Sequence, residues 1–351
     1  MKNLIIVSLV LTLACSTKKE EKKVVAEVTK PAIELVRDDA NRKVDVMMDG
    51  NLFTSYIYPT DIKKPVLWPV VSPGGNELTR NFPLKNKAGE RVDHPHHVGI
   101  WFNYGDVNGL DFWNNSEAIS PEKADKFGTI YHEKILGVKS GDDSATLSTT
   151  SSWKDNSNAT LLEEETEFTF SSGENVRIVD RKGTITAVAD EVTFTDNKEG
   201  MFAIRVTREL ELPSDKALKL MDSHGKVTEV ESPDNSNVTG DYLSSEGVTG
   251  GDVWATRAKW MKLFGKINGE EVAIVIFDHP NNVGFPTYWH ARTYGLFSAN
   301  TLGQKIFSKG EQELNYSMKK GESTTFQYRL AVFSGNPTED QIEKIYTAFT
   351  M

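Results

Sequence analysis

Three of the seven histidines in the sequence stand within four residues, at His94, His96 and His97, with Pro95 between the first two. An imidazole titrates near neutral pH, passes protons and binds divalent metals, so such a cluster is typical of a catalytic or metal site. Side chains two apart point the same way in an extended chain, which predicts that His94 and His96 project together and His97 projects to the opposite side. The first two are therefore also candidate metal ligands. The alternative is that the rings bond buried backbone groups.

A second polar strip comprises Tyr288, His290, Arg292 and Tyr294. In an extended segment these four side chains share one face. Arg292 is predicted to orient a carboxylate or a developing oxyanion, with His290 as a general acid or base. Asn300, slightly further on, is predicted to join the same site. The alternative is a surface strip whose arginine pairs with an acidic neighbour.

Glu199 is the predicted catalytic carboxylate, because it lies in a polar connection between two predicted strands and beside Lys198, which can lower or share its charge. Residues of this type are also common in turns that have no other role.

A loop rich in turn residues, 103–109, follows the histidine cluster. Aromatic rings stack on the apolar face of a pyranose, and Asp and Asn side chains bond its hydroxyls, so the loop favours sugar recognition. The predicted substrate-binding residues are Trp101, Asn103, Asp106, Asn108, Tyr288 and Asn300.

The elements that must position these residues are predominantly strands. Apolar and polar residues alternate over residues 145–151, 165–170, 176–181, 183–188, 202–208 and 324–333, which predicts antiparallel sheets with one buried face. Residues 273–277 are apolar throughout and predict a strand at the centre of a sheet. A helical pattern appears only after Pro337. The predicted fold class is all-β, a large antiparallel β-sandwich with a short C-terminal helix.

The N-terminus has the pattern of an export signal, with Lys2, an apolar run over residues 4–13, and Cys15, the one cysteine of the 351-residue chain. Residues 1–15 are predicted to be a lipoprotein signal peptide with lipidation at Cys15, and residues 16–31 a charged, flexible tether. Residues 32–351 are predicted to form a single domain. The expected location is the bacterial cell envelope, as an outer-membrane lipoprotein facing the periplasm or the surface.

Charge and motifs restrict the partners. A formal net charge of −10 disfavours nucleic acid, whose phosphates are bound by clustered Lys and Arg. The sequence contains no glycine-rich phosphate loop, no paired CxxC and no Gly-x-Ser-x-Gly elbow, which disfavours nucleotide-dependent chemistry, structural zinc and serine hydrolases of the α/β type. A carbohydrate is the predicted ligand.

Several blocks together resemble a family of bacterial proteins labelled PmoA-like: PGG at 73–75, TRNFP at 79–83, DHPHHVGIWF at 93–102, GDVNG at 105–109, DHP at 278–280 and YWHAR at 288–292. The label implies a membrane-embedded methane oxygenase subunit, which this sequence contradicts, since no apolar span follows residues 4–13. The resemblance implies a domain of unknown function in exported proteins of polysaccharide-degrading bacteria. Its β-rich pattern is similar to the large sandwich of galactose mutarotases, which use histidine and a carboxylate on a sugar.

These patterns predict acid–base catalysis on a sugar, of epimerase, hydrolase or lyase type, at a concave sheet face. The predicted catalytic residues are His94, His96, His97, His290, Arg292 and Glu199. The same patterns leave two alternatives: a non-catalytic glycan-binding lipoprotein, and a metal-dependent sugar hydrolase or lyase in which His94 and His96 bind a divalent metal. No other cofactor is predicted.

Overall fold

The computed structural model describes residues 32–351, and the predicted signal peptide, the tether and Cys15 lie outside this range. The first ten strands are β1 (Ile33–Asp38), β2 (Lys43–Met48), β3 (Asn51–Ile57), β4 (Val66–Val70), β5 (Ile100–Tyr104), β6 (Thr129–Lys139), β7 (Ser144–Lys154), β8 (Thr160–Gly173), β9 (Val176–Ala187) and β10 (Glu191–Phe194). The remaining strands are β11 (Gly200–Arg205), β12 (Leu218–Met221), β13 (Val227–Val230), β14 (Asp241–Ser244), β15 (Trp260–Ile267), β16 (Glu270–Asp278), β17 (Tyr288–Trp289), β18 (Leu296–Asn300), β19 (Tyr316–Lys319) and β20 (Ser323–Ser334). The helices are three 3-10 turns, Pro121–Lys126, Arg208–Leu210 and Gly250–Val253, and α1 (Glu339–Thr350).

Two eight-stranded sheets make up most of the structure. The first sheet has the order β1-β2-β3-β4-β5-β11-β18-β17, and the second has the order β14-β15-β16-β20-β9-β8-β7-β6. Two small pairs, β10-β19 and β12-β13, complete the strands of the described residues. Neighbouring strands are antiparallel in both large sheets, as between β11 and its partners β5 and β18.

The main core lies between the two large sheets, and alternation along β5 shows how it forms. Ile100, Phe102 and Tyr104 belong to the apolar cluster that both sheets share, where Phe102 packs near Phe326 of β20. Trp101, between them in sequence, belongs to a separate apolar cluster on the other face of the first sheet. Because side chains alternate along the strand, one set packs in the core between the sheets. The other set packs in a second apolar layer on the outer face of the first sheet.

Each outer face is covered locally. On the second sheet, α1 buries Ile342 against a cluster that includes Trp260 and Phe277. Thr338 caps this helix, because its hydroxyl accepts a hydrogen bond from the backbone N–H of Gln341. On the first sheet, the outer cluster forms the floor beneath the histidine-rich segment.

The predicted all-β sandwich with a short C-terminal helix is confirmed. The apolar segment 273–277 lies in β16, which pairs with β15 on one side and β20 on the other. The patterns at 176–181 and 183–188 belong to one continuous strand, β9, in which Gly183 leaves room for the guanidinium of Arg181. No helix within residues 32–351 is both long and apolar enough to cross a membrane.

Candidate active site

Six predicted catalytic residues line one cavity of about 450 Å³ on the outer face of the first sheet. They come from three separate parts of the chain: His94, His96 and His97, then Glu199, then His290 and Arg292. The other side chains around the cavity are Trp113, Asn114, Lys198, Trp254, Tyr294 and Ile306. Residues almost two hundred positions apart in sequence therefore meet at one concave site.

The histidine cluster is a turn and not a strand. The backbone N–H of His97 donates to the carbonyl of His94 over 2.9 Å, which closes a β-turn with Pro95 at its second position. His94 itself has a positive φ of 43°. The prediction that His97 would project away from His94 is therefore wrong: the two rings are parallel, with centroids 4.9 Å apart, and the His96 ring is 4.3 Å from that of His97.

Two buried cations hold this turn by its carbonyl groups. Arg80 donates to the backbone oxygens of Asp93, His94 and His97 at 2.7, 2.8 and 3.0 Å. Lys64 donates to the backbone oxygen of His96 at 2.7 Å. Because burial lowers the pKa of Lys64 to about 7, this contact depends on a cation that the interior disfavours. The strained backbone of His94 persists because its surroundings fix it.

A hairpin supplies the second group of residues. The backbone N–H groups of His290 and Arg292 donate to Ser298 and Leu296 on the facing arm, and Gly295 closes the turn with a positive φ of 85°. His290 and Arg292 therefore point to the same side, as the sequence pattern predicts. Tyr294 follows in the turn.

Tyr288 lies outside the cavity lining, although it belongs to the same arm. Its hydroxyl donates to Gln312 at 3.1 Å, and its ring packs on Phe307 and under Arg257. The ring of His290 also contacts Phe307, so Tyr288 and His290 share a face as the sequence pattern predicts, although only Tyr288 and Trp289 of this segment are strand.

Glu199 reaches the cavity from the residue before β11. Its backbone oxygen accepts a hydrogen bond from Gly105, and its backbone N–H donates to the side chain of Asn197. The carboxylate forms an ion pair with Lys198, and its other oxygen lies 3.6 Å from Nδ1 of His290. Asn300, predicted to contact substrate, is fully buried and donates to the carbonyl of Asn197, so it positions this loop.

Asp93 connects the histidines to two buried arginines. Its Oδ1 lies 3.2 Å from Nδ1 of His94 and accepts hydrogen bonds from Arg80 at 2.8 Å and Arg205 at 2.7 Å. Burial alone would raise the pKa of Asp93, but the hydrogen bond with His94 and the charges of Arg205 and Arg80 bring it well below its usual value. The ionised carboxylate can only accept, so Nδ1 of His94 carries the proton and Nε2 has a free lone pair.

His97 has the opposite arrangement. Arg205 lies 3.1 Å from Nδ1 of His97 and can only donate, so this nitrogen accepts and the proton of the neutral ring is on Nε2. The parallel rings of His94 and His97 therefore offer one acceptor and one donor. A hydroxyl group, which both donates and accepts, is the simplest partner for such a pair.

Burial keeps three of the cavity imidazoles neutral. Desolvation, aided by the charge of Lys64, lowers the pKa of His96, and desolvation with the nearby His96 and Arg205 lowers that of His97. Desolvation and the charges of Lys198 and Arg292 lower the pKa of His290 to about 3. His94 is the most accessible ring of the cluster, with a side chain that is 42% exposed.

Five buried polar atoms of the cavity-lining residues lack a hydrogen-bond partner among residues 32–351. They are Nε2 of His96, Nε2 of His97, Nδ1 of His290, Nε1 of Trp113 and Nε1 of Trp254. Buried polar groups are usually satisfied, so this concentration at one cavity indicates a site for a ligand with several polar groups.

Three other predicted substrate-binding residues support loops elsewhere. Asn103 is buried and donates to the carbonyl of Phe112, Asp106 accepts from Gly109, and Asn108 bonds the backbone of residues 191 and 193. None of the three belongs to the lining of this cavity. Their contacts stabilise turns and loops, which is the other common role of Asn and Asp in segments of this composition.

Trp101, also predicted to contact substrate, lies beneath the histidines. Its side chain is 2% exposed and stacks on His97 with centroids 5.2 Å apart. It therefore supports the site from below and is not part of the lining.

The metal site predicted from His94 and His96 stays a prediction, which the geometry does not favour. Within residues 32–351, no group of three or more His, Cys, Asp or Glu side chains is arranged to hold a metal ion. The rings of His94 and His96 are nearly perpendicular, at 82°, because the β-turn replaces the extended backbone that would have aligned them. Nδ1 of His94 is also engaged by Asp93.

Sequence reasoning missed the network beneath the cavity. Arg80 and Arg205 are distant from the cluster in sequence, and the alternation of β11 gives no indication that Arg205 faces His97. Trp113 and Trp254 also have no local signal. The sequence does indicate two further residues of the site. Asp93 directly precedes the first histidine, and Tyr294 belongs to the second polar strip.

The sequence matches the profile of a protein family over residues 43–347, a span that includes every residue of the cavity lining. That family is described as a family of unknown function, DUF6807. The chain belongs to this family. The resemblance to a PmoA-like family is therefore wrong, since the DUF6807 profile is the one that matches. No curated protein matches the DUF6807 chain significantly by sequence.

Several solved structures are similar to this DUF6807 chain. The GH36 α-galactosidase AgaB from Geobacillus stearothermophilus has a TM-score of 0.36 and 10% identity, over 86% of this chain and 41% of that one. The α-galactosidase from Lactobacillus brevis has a TM-score of 0.36 and 8% identity, over 86% and 40%. The Slr1438 protein from Synechocystis sp. PCC 6803 has a TM-score of 0.30 and 10% identity, over 87% and 97%. This chain spans about two fifths of the length of the α-galactosidases.

Proposed function

We propose that the cavity is an acid–base active site that acts on a carbohydrate. The observation that carries the proposal is the meeting of two imidazole–carboxylate pairs at one cavity: His94 with Asp93 at 3.2 Å, and His290 with Glu199 at 3.6 Å. A general base removes a proton and, once protonated, can return it. Asp93 and His94 are neighbours in sequence, but His290 and Glu199 are not, and the two pairs come from distant parts of the chain, so the fold brings them together.

The first pair supplies the base. Asp93 fixes the proton of His94 on Nδ1, which leaves Nε2 of this accessible ring free to accept a proton. Stacking on Tyr294, with centroids 5.1 Å apart and the rings parallel, fixes the plane of the imidazole. The proton that His94 accepts returns to the substrate from the same ring, while His290, which burial keeps neutral, and the Glu199 carboxylate can bind hydroxyl groups of the sugar.

The shape and polarity of the lining favour a sugar. Trp254 and Tyr294 are partly exposed and offer aromatic surface to a pyranose, whereas Trp113 is fully buried and contributes an unpartnered indole N–H. The unpartnered nitrogens of His96 and His97 offer hydrogen bonds to hydroxyls. A volume of about 450 Å³ lies within the usual range for small-ligand sites, roughly 300–1,000 Å³.

The test is proton exchange. The full chain is incubated in D₂O with a panel of neutral, acidic and oxidised sugars, and deuterium incorporation and product formation are followed by NMR. His94→Gln is expected to reduce turnover by about 10²- to 10⁴-fold, the usual contribution of a general base. His224→Gln is the matched control, because His224 is exposed in the β12–β13 hairpin, and it is expected to retain full turnover.

Binding without reaction is the competing outcome. The aromatic lining would serve a glycan-binding protein equally well. If the wild-type chain binds a sugar and His94→Gln weakens that binding, while no sugar in the panel exchanges a proton or forms a product, the catalytic proposal is wrong and the protein is a binding protein.

We also propose that the protein is exported and anchored by a lipid at Cys15. Support comes from the apolar run at residues 4–13 and the position of the single cysteine. Expression with a labelled fatty acid tests this: label is expected on the wild-type chain and not on Cys15→Ser, and an unlabelled wild-type chain would contradict the anchor.

A further inference from the structure

The guanidinium of Arg292 has no hydrogen bond or ion pair with any residue in the described range 32–351. Its contacts are with aromatic rings: it lies 5.6 Å from the ring centre of Trp254 and 5.7 Å from that of Tyr294. The other arginines that lie at or below the site are bonded to carboxylates, Arg80 and Arg205 to Asp93. Arg292 is thus held by cation–π contacts, with its donors free.

The charge of the lining is also unbalanced. Among the residues that line the cavity, Lys198 and Arg292 are cations and Glu199 is the carboxylate that opposes them. Lys198 is already paired with Glu199, which leaves the charge of Arg292 without a partner. A protein with a formal net charge of −10 nevertheless presents an excess positive charge at this cavity.

We propose that Arg292 is the carboxylate-binding residue of this site, and that the substrate is a uronic acid or an oligosaccharide that contains one. The inference rests on the proposed function, since it names the substrate class of the same cavity. A guanidinium presents parallel N–H donors that match the two oxygens of a carboxylate. The cation–π contacts with Trp254 and Tyr294 restrict the guanidinium before a ligand binds, so less side-chain entropy is lost on binding.

The position of Arg292 also suits the proton transfer. When the carbon next to the carboxylate loses its proton to Nε2 of His94, the electron pair of the C–H bond moves onto the carboxylate oxygens, where the charge of Arg292 stabilises it. The protonated His94 then returns a proton to that carbon and the electron pair forms the C–H bond again, so the net reaction is proton exchange. Recognition of the carboxylate therefore selects the substrate and aligns it for the reaction.

The experiment compares each acid with its own neutral form. Calorimetry with the full chain at pH 7 measures the Kd of oligomers of galacturonate, mannuronate and glucuronate, each alongside its methyl ester, which removes the charge and keeps the sugar. At least one acid is expected to bind about 10- to 100-fold more tightly than its ester, the usual effect of a hydrogen-bonded charge pair. Arg292→Gln is expected to abolish this difference and to change the Kd of the ester by less than about twofold.

Two further variants guard against misfolding and nonspecific charge effects. Arg292→Lys keeps the charge but loses the two-pronged donor, so it is expected to retain only part of the acid–ester difference. Arg37→Gln removes an exposed arginine that pairs with Asp39, and it is expected to behave like the wild type. Thermal melting of each variant checks that the fold is intact.

The remaining outcomes overturn the inference in distinguishable ways. If acids and esters bind equally, or if Arg292→Gln leaves their difference unchanged, the carboxylate role is wrong while the acid–base proposal stands. If sulfated oligosaccharides bind more tightly than uronates through Arg292, the anion is a sulfate ester and the uronate class is wrong. If no sugar binds, charged or neutral, the proposed function itself fails, and this inference fails with it.

Discussion

At the residue scale, His94 and His97 differ in function although their rings are parallel neighbours. Asp93 accepts from Nδ1 of His94, whereas Arg205 donates to Nδ1 of His97, so one ring offers a lone pair and the other an N–H. The difference arises from one partly buried carboxylate and one fully buried guanidinium that are bonded to each other at 2.7 Å. The chemistry of the exposed ring is therefore set by the charges beneath it.

Asp93→Asn tests this dependence through stability. The carboxylate neutralises Arg80 and Arg205, whose side chains are 1% and 0% exposed, so its loss leaves two buried cations poorly compensated. We expect the free energy of unfolding at pH 7 to fall by about 2 kcal/mol or more, somewhat less than for a wholly buried pair because Asp93 is 28% exposed. Urea denaturation measures it.

The pH dependence of this prediction follows from the lowered pKa of Asp93. The stabilisation is complete above the pKa of about 3.9 that the residue has in the unfolded chain, and it is lost as pH falls below that value toward the folded pKa. The difference between wild type and Asp93→Asn should therefore stay constant from pH 7 to 5 and shrink below pH 4. Asp39→Asn, at an exposed pair with Arg37, is the control and should cost less than about 1 kcal/mol.

At the element scale, the site depends on how the 94–97 turn enters β5. Gly99 makes this entry with a φ of 58°, and a Cβ there would collide with the backbone oxygen of Leu67 on β4. The turn therefore lies directly against the neighbouring strand. Glycine is required at this position both for its backbone conformation and for the close approach.

Gly99→Ala is expected to destabilise the protein and displace the histidines. A matched control is Gly109→Ala, since Gly109 also has a positive φ, 81°, with nothing within 4 Å of the added carbon. The left-handed conformation costs both variants roughly 1–2 kcal/mol, and the collision should cost Gly99→Ala about 2 kcal/mol more. Equal losses of unfolding free energy in the two variants would show that the contact with Leu67 does not constrain the turn.

At the scale of the whole molecule, burying neutral histidines makes stability sensitive to acid. The folded protein keeps His96, His97 and His290 unprotonated at pH values where the unfolded chain protonates them, because burial lowers the pKa of each. The unfolded state then binds more protons, so the free energy of unfolding decreases as pH falls. For His290 the window runs from about pH 6.5 in the unfolded chain down to about 3.

The slope of stability against pH tests this coupling. Each such histidine contributes up to about 1.4 kcal/mol per pH unit between pH 6 and 4. His290→Gln, which cannot titrate, is expected to have a slope shallower than the wild type by about that amount, measured by urea denaturation at several pH values. His224→Gln should leave the slope almost unchanged, and the same slope in His290→Gln and wild type would contradict the prediction.

The sequence by itself determined the fold class and most of the reactive groups. Alternation with period two predicts sheets because a pleated strand must bury one face, and it holds even for long strands such as β9. His290 and Arg292 were paired correctly, since residues two apart in a hairpin arm share a side. Chemical type alone marked the histidine cluster and Glu199.

Only the tertiary structure decided how these groups work. A buried arginine on β11 sets which nitrogen of His97 carries a proton, and this effect has no signature in local spacing. A partly buried aspartate, adjacent in sequence, sets it for His94. Pro95 converted an expected strand into a turn, because its ring favours the second position of a β-turn and it has no N–H for a ladder. The sequence predicts ligand contacts for Asn103, Asp106 and Asn108, but these side chains form hydrogen bonds with backbone groups as readily as with a sugar. Only the packing of the folded chain distinguishes a backbone contact from a ligand contact.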